Sequence, residues 1–215
     1  MQMSLFDYSD RLQKLDKNKD PLILLDSLIP WEEFRTLLEE VRIKPRKNGA
    51  GRRPFDVVLM FKILILQSLY NLADDALEFQ ILDRLSFMRF LSVGINGKVP
   101  DSKTIWLFRK QLEEAGILEV IFSQFDNYIR SNGFKARSGQ IIDASFIHVP
   151  IQRNNREENK EIKEGKSHKE WSSNKVLQKD VDARWTKKNG VSHYGYKNHI
   201  SIDAKYKFIR TFEIT

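Results

Sequence analysis

Gly139-Gln140-Ile141-Ile142-Asp143-Ala144-Ser145-Phe146-Ile147-His148-Val149-Pro150 is the stretch that decides how the chain is read. Three isoleucines and a valine, with Gly and Pro at the ends, predict a β-strand. Alternation puts Ile141, Asp143, Ser145, Ile147 and Val149 on one face, and Ile142, Ala144, Phe146 and His148 on the other. The run is apolar enough to be read as buried, and a buried carboxylate is costly unless something neutralises it. Asp143 is therefore expected to meet a cation.

Upstream of this strand the apolar spacing is helical. Residues 1–29 are poorly periodic and predict a partly extended arm. Trp31, Phe34, Leu37, Leu38 and Val41 then recur at helical spacing after Pro30. Val57 to Tyr70 is nearly unbroken in its apolar character and predicts a helix at the centre of a helical domain. It is shorter than the ~20 residues of a membrane span, and Lys62 interrupts it. A break at Asn71–Asp75 leads into a helix reaching about Leu91, with Ala76, Phe79, Leu82, Phe87 and Phe90 inward. Asp101 or Ser102 caps the next helix, whose inner stripe is Ile105, Phe108, Leu112 and Ala115, and Gly116 ends it. A last helix stops at Gly133. The two helices joined at Gly116 allow a helix-turn-helix-like arrangement, with residues 102–115 available to DNA.

Downstream, residues 151–190 hold 11 Lys or Arg and 7 Asp or Glu, and read as a polar insertion, a lid or a loop ordered by nucleic acid. From His193 a hairpin follows, turning through Asp203-Ala204-Lys205, where turn chemistry accounts for Asp203. The expected fold class is α+β: an all-α domain over 1–134, then an α/β domain over 138–215. A three-stranded sheet with no covering helix leaves a face bare, so the second domain is expected to be incomplete.

Composition bounds the function classes. The chain has 215 residues, a net charge of +7 and no cysteine. These values exclude a disulfide scaffold and any Cys-based zinc site, and the charge favours a polyanionic partner. Residues 42–53 carry six basic side chains, Arg52 and Arg53 among them, in a Gly-containing loop suited to phosphate contact. Lys103, Arg109 and Lys110 face outward on the helix that starts at residue 102. Walker loops, nucleophile elbows and His-Glu-x-x-His are absent. Asp180 and Asp182 lie in a Lys-rich loop where solvated salt bridges explain them, so of the acidic candidates only Asp143 lacks a simpler explanation.

Ile141-Ile142-Asp143-Ala144-Ser145, Lys179 to Lys188, and His193-Tyr194-Gly195-Tyr196-Lys197-Asn198-His199-Ile200-Ser201-Ile202-Asp203 closely resemble bacterial insertion-sequence transposases of the insertion-sequence-five family. Pro30-Trp31, Gly51-Arg52-Arg53-Pro54, Tyr70 to Asp74 and Pro100 to Arg109 share the likeness. Ser145 departs from the Thr of many relatives. The resemblance implies a DNA-binding helical domain and a ribonuclease-H-like catalytic domain with an Asp-Asp-Glu triad (DDE). It implies a cytoplasmic, nucleoid-associated bacterial protein that acts as a homo-oligomer on terminal inverted repeats and target DNA. Asp143 matches the first Asp of the triad, a ligand that bridges two Mg²⁺ ions; the second Asp and the Glu have no matching positions. Arg52, Arg53, Lys103, Arg109, Lys110 and Lys197 are then expected DNA contacts, with Tyr194 and the 151–190 insertion beside them. Two other readings stay open: a truncated DNA-binding regulator, and a non-functional remnant.

Overall fold

A computed structural model describes residues 7–42, 53–134, 140–149, 154–165 and 171–215, apart from the side chains of 140 and 176–178. The chain divides into two compact units, Met1–Ile129 and Arg130–Thr215. The described residues are mixed in class, with helices in the N-terminal part and a small antiparallel sheet in the second unit.

Two helices, α1 (Asp7–Lys17) and α2 (Pro21–Leu28), occupy the segment expected to be an extended arm. The start of α2 was legible. The Asp20 carboxylate accepts from the Leu22 N–H at 3.0 Å, and Pro21 sits in the first turn, where its missing N–H costs nothing. A 3₁₀ turn (Trp31–Phe34) runs into α3 (Arg35–Glu40). The long apolar helix is α4 (Val57–Tyr70), capped by Asp56, which accepts from the N–H groups of Val58 and Leu59. Asn71 ends it in the left-handed region, which Asn tolerates better than most residues.

The helix expected to reach Leu91 is two helices, α5 (Asp74–Asp83) and α6 (Leu85–Phe90), parted at the extended Arg84. The inward side of α5 is also different from the expected one. Leu77 and Ile81 are buried, whereas Phe79 and Leu82 are 63% and 53% exposed. The break at Arg84 explains how Phe87 and Phe90 are nevertheless buried: α6 starts with its own rotational phase. Next come α7 (Ser102–Ala115) and α8 (Leu118–Ser131). Ile105, Phe108 and Leu112 of α7 are buried as expected, while Ala115 is exposed.

The core of the first unit gathers around α4. Trp31 packs edge-on against Phe61 and Phe90, with ring centres 6.3 and 5.6 Å away. Lys62 is buried among them. Its Nζ lies 2.6 Å from the Asp26 carboxylate, donates to the Phe90 carbonyl at 2.7 Å, and sits 4.8 Å from the Phe90 ring centre. The side chain that argued against a membrane span thus ties α2 and α6 to α4. No single helix among the described residues is long and apolar enough to cross a membrane.

In the second unit β1 (Gln140–His148) is a strand as expected. The segment expected to lack packed elements contains α9 (Arg156–Lys163), α10 (Ser173–Gln178) and β2 (Arg184–Lys188). Asn189 and Gly190, both at positive φ, turn β2 into β3 (Val191–Asp203); Asn-Gly is the strongest short hairpin signal, and the polar reading of this stretch overlooked it. The last strand is β4 (Ile209–Ile214). The sheet therefore has four strands, not three. β3 is its spine: β1 lies along one edge, and β2 and β4 follow one another along the other.

Candidate functional site

The register fixes the surroundings of Asp143. It lies opposite Ile200 of β3, which in turn lies opposite Phe212 of β4. Along the same face run Ile141, Ser145 and Ile147 of β1 and Tyr194, Tyr196, Asn198 and Ile202 of β3.

Burial is where the expectation fails. Asp143 is exposed, and so are Ile141 (41%), Ile142 (71%) and Ile147 (39%). Alternating isoleucines gave strand character correctly but not coverage, since β-branched residues favour strands whether or not a layer lies over them. In water a carboxylate needs no neutralising partner; this one accepts a hydrogen bond from the N–H of Ala144 at 2.8 Å. Among the described residues no group of three His, Asp or Glu side chains is placed to hold a metal. A two-ion Mg²⁺ site needs several hard oxygen ligands, so Asp143 does not make one alone.

The basic candidates separate into different environments. Arg52 lies outside the described residues, while Arg53 is exposed beside the Asp56 cap. Lys103 is exposed on α7. Arg109 makes an ion pair with Asp74 in the first turn of α5, and Gln67 donates to the same carboxylate at 2.7 Å. Lys110 rests 5.3 Å from the centre of the exposed Trp106 ring and 3.7 Å from Glu114. Lys197 is half-buried on β3 opposite Phe146, on the face of the sheet away from Asp143. The structure thus brings Lys103, Arg109 and Lys110 onto one helix and leaves Asp143 and Lys197 on opposite faces of another unit.

Two carboxylates of the second unit are engaged by hydrogen bonds. Asp180, read as a solvated loop acid, accepts from the Tyr196 hydroxyl at 2.6 Å and from the N–H groups of Asp182 and Ala183. Burial acts to raise its pKa, but these hydrogen bonds outweigh it and hold the carboxyl below the usual range. The Tyr196 phenol is pushed well above its ordinary value, by burial first and then by the bond to Asp180. Asp203 is fully buried and accepts from the backbone of Tyr206, Lys205 and Phe208, which holds its carboxyl low. It closes the β3–β4 turn, in keeping with its turn position.

Residues 9–111 match the family model of a Transposase domain (DUF772). That match spans just under half of the chain and takes in the Asp74 end of the Arg109 pair, the Lys62 anchor and the α7 face bearing Lys103, Arg109 and Lys110. The match supports a transposase family, for which DNA is the general partner. It stops before β1, so it is silent on Asp143. No solved structure matches the chain.

Proposed function

We propose that the chain is a DDE-type transposase of a bacterial insertion sequence, in which the helical unit grips the element ends and the sheet carries the first catalytic carboxylate. The observation that carries this reading is the likeness of residues 9–111 to a transposase domain. The outward cations of α7 support a DNA contact there: Lys103 and Lys110 are exposed, and Trp106 beside Lys110 offers a ring at the same surface. Arg53 lies at the entry to α4, and Arg52 before it belongs to the basic stretch 42–53, most of which lies outside the described residues. In this reading Arg109 both approaches a phosphate and braces α7 on α5 through Asp74.

The finer, chemical part of the proposal rests on Asp143. The reading takes support from an exposed aspartate on β1, beside the long antiparallel β3 that also pairs with β4, an arrangement in keeping with the start of a ribonuclease-H-like sheet. Mg²⁺, when bound in such a site, stabilises the attacking and leaving oxygens of an in-line displacement at phosphorus. Asp143 is proposed as one ligand; the remaining ligands come from outside the described residues. No step of strand cleavage is assigned to side chains that the sheet does not place together.

The test is binding of the 215-residue chain to a duplex carrying the terminal repeat of its element, against a scrambled duplex, across a salt series. Preference for the repeat, with a log–log salt slope of about −3 to −5 for four or five phosphate contacts, supports the proposal. Equal affinity for both duplexes at every salt concentration removes end recognition.

A second reading is a DNA-binding regulator that occupies ends without cutting them. The register favours it in one respect, because Ile200 and Phe212 rather than acids neighbour Asp143 across the strands. Mg²⁺-dependent nicking of an end-labelled duplex, lost in Asp143→Ala, decides against it.

A further inference from the structure

The sheet face away from Asp143 carries its own chemistry. The register sets Phe146 and His148 of β1 on that face with His193, Lys197 and His199 of β3. Phe146 and His193 lie ring on ring, with centres 4.6 Å apart and planes 6° from parallel. His148 is 5.1 Å from His193, and the Lys188 Nζ is 5.7 Å from the Phe146 ring centre. Gly195 sits between His193 and Lys197 with φ +147, where a Cβ would fall 1.9 Å from the Ile147 carbonyl oxygen. That position must stay bare, because the backbone of β1 already fills the space that a side chain would take. Among the strand residues on this face the carboxylates are Glu213, opposite His199, and Asp203, whose oxygens are taken up by its own turn.

We propose that this face binds single-stranded nucleic acid, bases stacking on the Phe146, His193 and His148 rings and phosphates meeting Lys188 and Lys197. Two features select that occupant. A platform of rings beside two lysines complements a strand whose bases are free to stack and whose backbone is anionic. A major groove admits a helix or a two-stranded ribbon but not the face of a broader sheet, so a duplex keeps its bases out of reach of these rings. The inference goes beyond the preceding reading, which places duplex contacts on the helical unit; Lys197 is shared only with the DNA contacts expected from the sequence.

The experiment uses the 215-residue chain, a labelled fifteen-nucleotide oligothymidine and a labelled random duplex, followed by fluorescence anisotropy. Phe146→Leu keeps the apolar volume and removes the stacking ring; it is expected to weaken oligothymidine binding at least about five-fold, the lower end for one lost stack. Lys188→Gln with Lys197→Gln is expected to flatten the single-strand salt slope by about 1.4, from two phosphates at about 0.7 each. Random-duplex affinity is expected to stay within two-fold for Phe146→Leu, so failure of duplex recognition and failure of this surface read out separately. If Phe146→Leu loses its circular dichroism signature, the lysine pair and a thymine photo-crosslink carry the test. Crosslinks at Phe146 or His193 support the proposal. Wild-type single-strand affinity in the lysine variant, crosslinks confined to the helical unit, or no oligothymidine binding by the wild type at low salt would overturn it.

Discussion

The Tyr196 hydroxyl donates a hydrogen bond to Asp180 at 2.6 Å, and that bond fastens the loop before β2 onto the middle of β3. Tyr196→Phe removes the donor and leaves the ring. An ordinary net hydrogen bond is worth about 1 kcal/mol, and one to a carboxylate about 1.5–3, so a loss of about 1.5 kcal/mol at pH 7 is expected in urea unfolding. The pH dependence has a definite sign. Asp180 is held below its unfolded pKa, so its contribution is complete above about pH 4 and fades as pH falls through the folded value. Wild type and variant should converge in acid; a constant gap from pH 7 down to the end of the titration would show that the bond does not act on the charged form.

Lys62→Met replaces a buried ammonium by an apolar chain of similar length. Removing one partner of a buried pair costs about 3–5 kcal/mol, and Asp26 keeps 35% of its side-chain surface, so about 2 kcal/mol is expected. Asp26→Asn with Lys62→Met should recover part of it. A Lys62→Met protein as stable as the wild type in urea would mean that the anchor contributes nothing.

Arg109 and Lys103 share a helix but not a situation. Lys103→Ala should weaken duplex binding and reduce the salt slope by about 1 without moving the melting temperature. Arg109→Ala should lower both, and the stability part should vanish in an Asp74→Ala background. Arg109 is 44% exposed, so that coupling is expected at no more than about 1 kcal/mol. A double-mutant cycle that shows no coupling would free Arg109 for DNA alone.

Asp203→Ala strips the acceptor from three backbone N–H groups and should speed amide exchange at Lys205, Tyr206 and Phe208. The Asp203 carboxyl is also held low in the folded chain, so protection is expected above about pH 4 and to be lost as acid protonates it. Protection unchanged by the substitution would assign the turn to Lys207 and Phe208 backbone bonds instead.

Much of this was legible in the residues because local chemistry dictated it. Asp56 and Asp101 announce helix starts, Gly116 announces a stop, and the alternation around Asp143 announces a strand. What stayed hidden depended on partners distant in sequence. Nothing local distinguishes Phe79 from Leu77 as the inward residue of α5, since both lie in an apolar run and the choice depends on where α7 packs. Asp180 gave no sign of Tyr196, sixteen residues on, until β2 and β3 were brought together. Arg109 was read as an outward cation, and its tie to Asp74, 35 residues earlier, needed the fold. Coverage of the Asp143 strand is a fourth such property, because a strand sequence specifies its edges more firmly than what lies above it.

β3 serves β2 along Val191–Gly195 and β4 along Asn198–Ile202, and the two neighbours do not pair with one another. The spine strand can therefore be unzipped from either end. Loss of β4 leaves the Asn189-Gly190 hairpin intact, and loss of β2 leaves the Asp203 turn intact. The sheet is built from two seams that open independently, and β1, which runs opposite Gly195 to Asp203, overlaps them by a single residue on the β2 side. Opening free energies along β3 should accordingly fall into two cooperative blocks divided at Tyr196, the residue that Asp180 clamps.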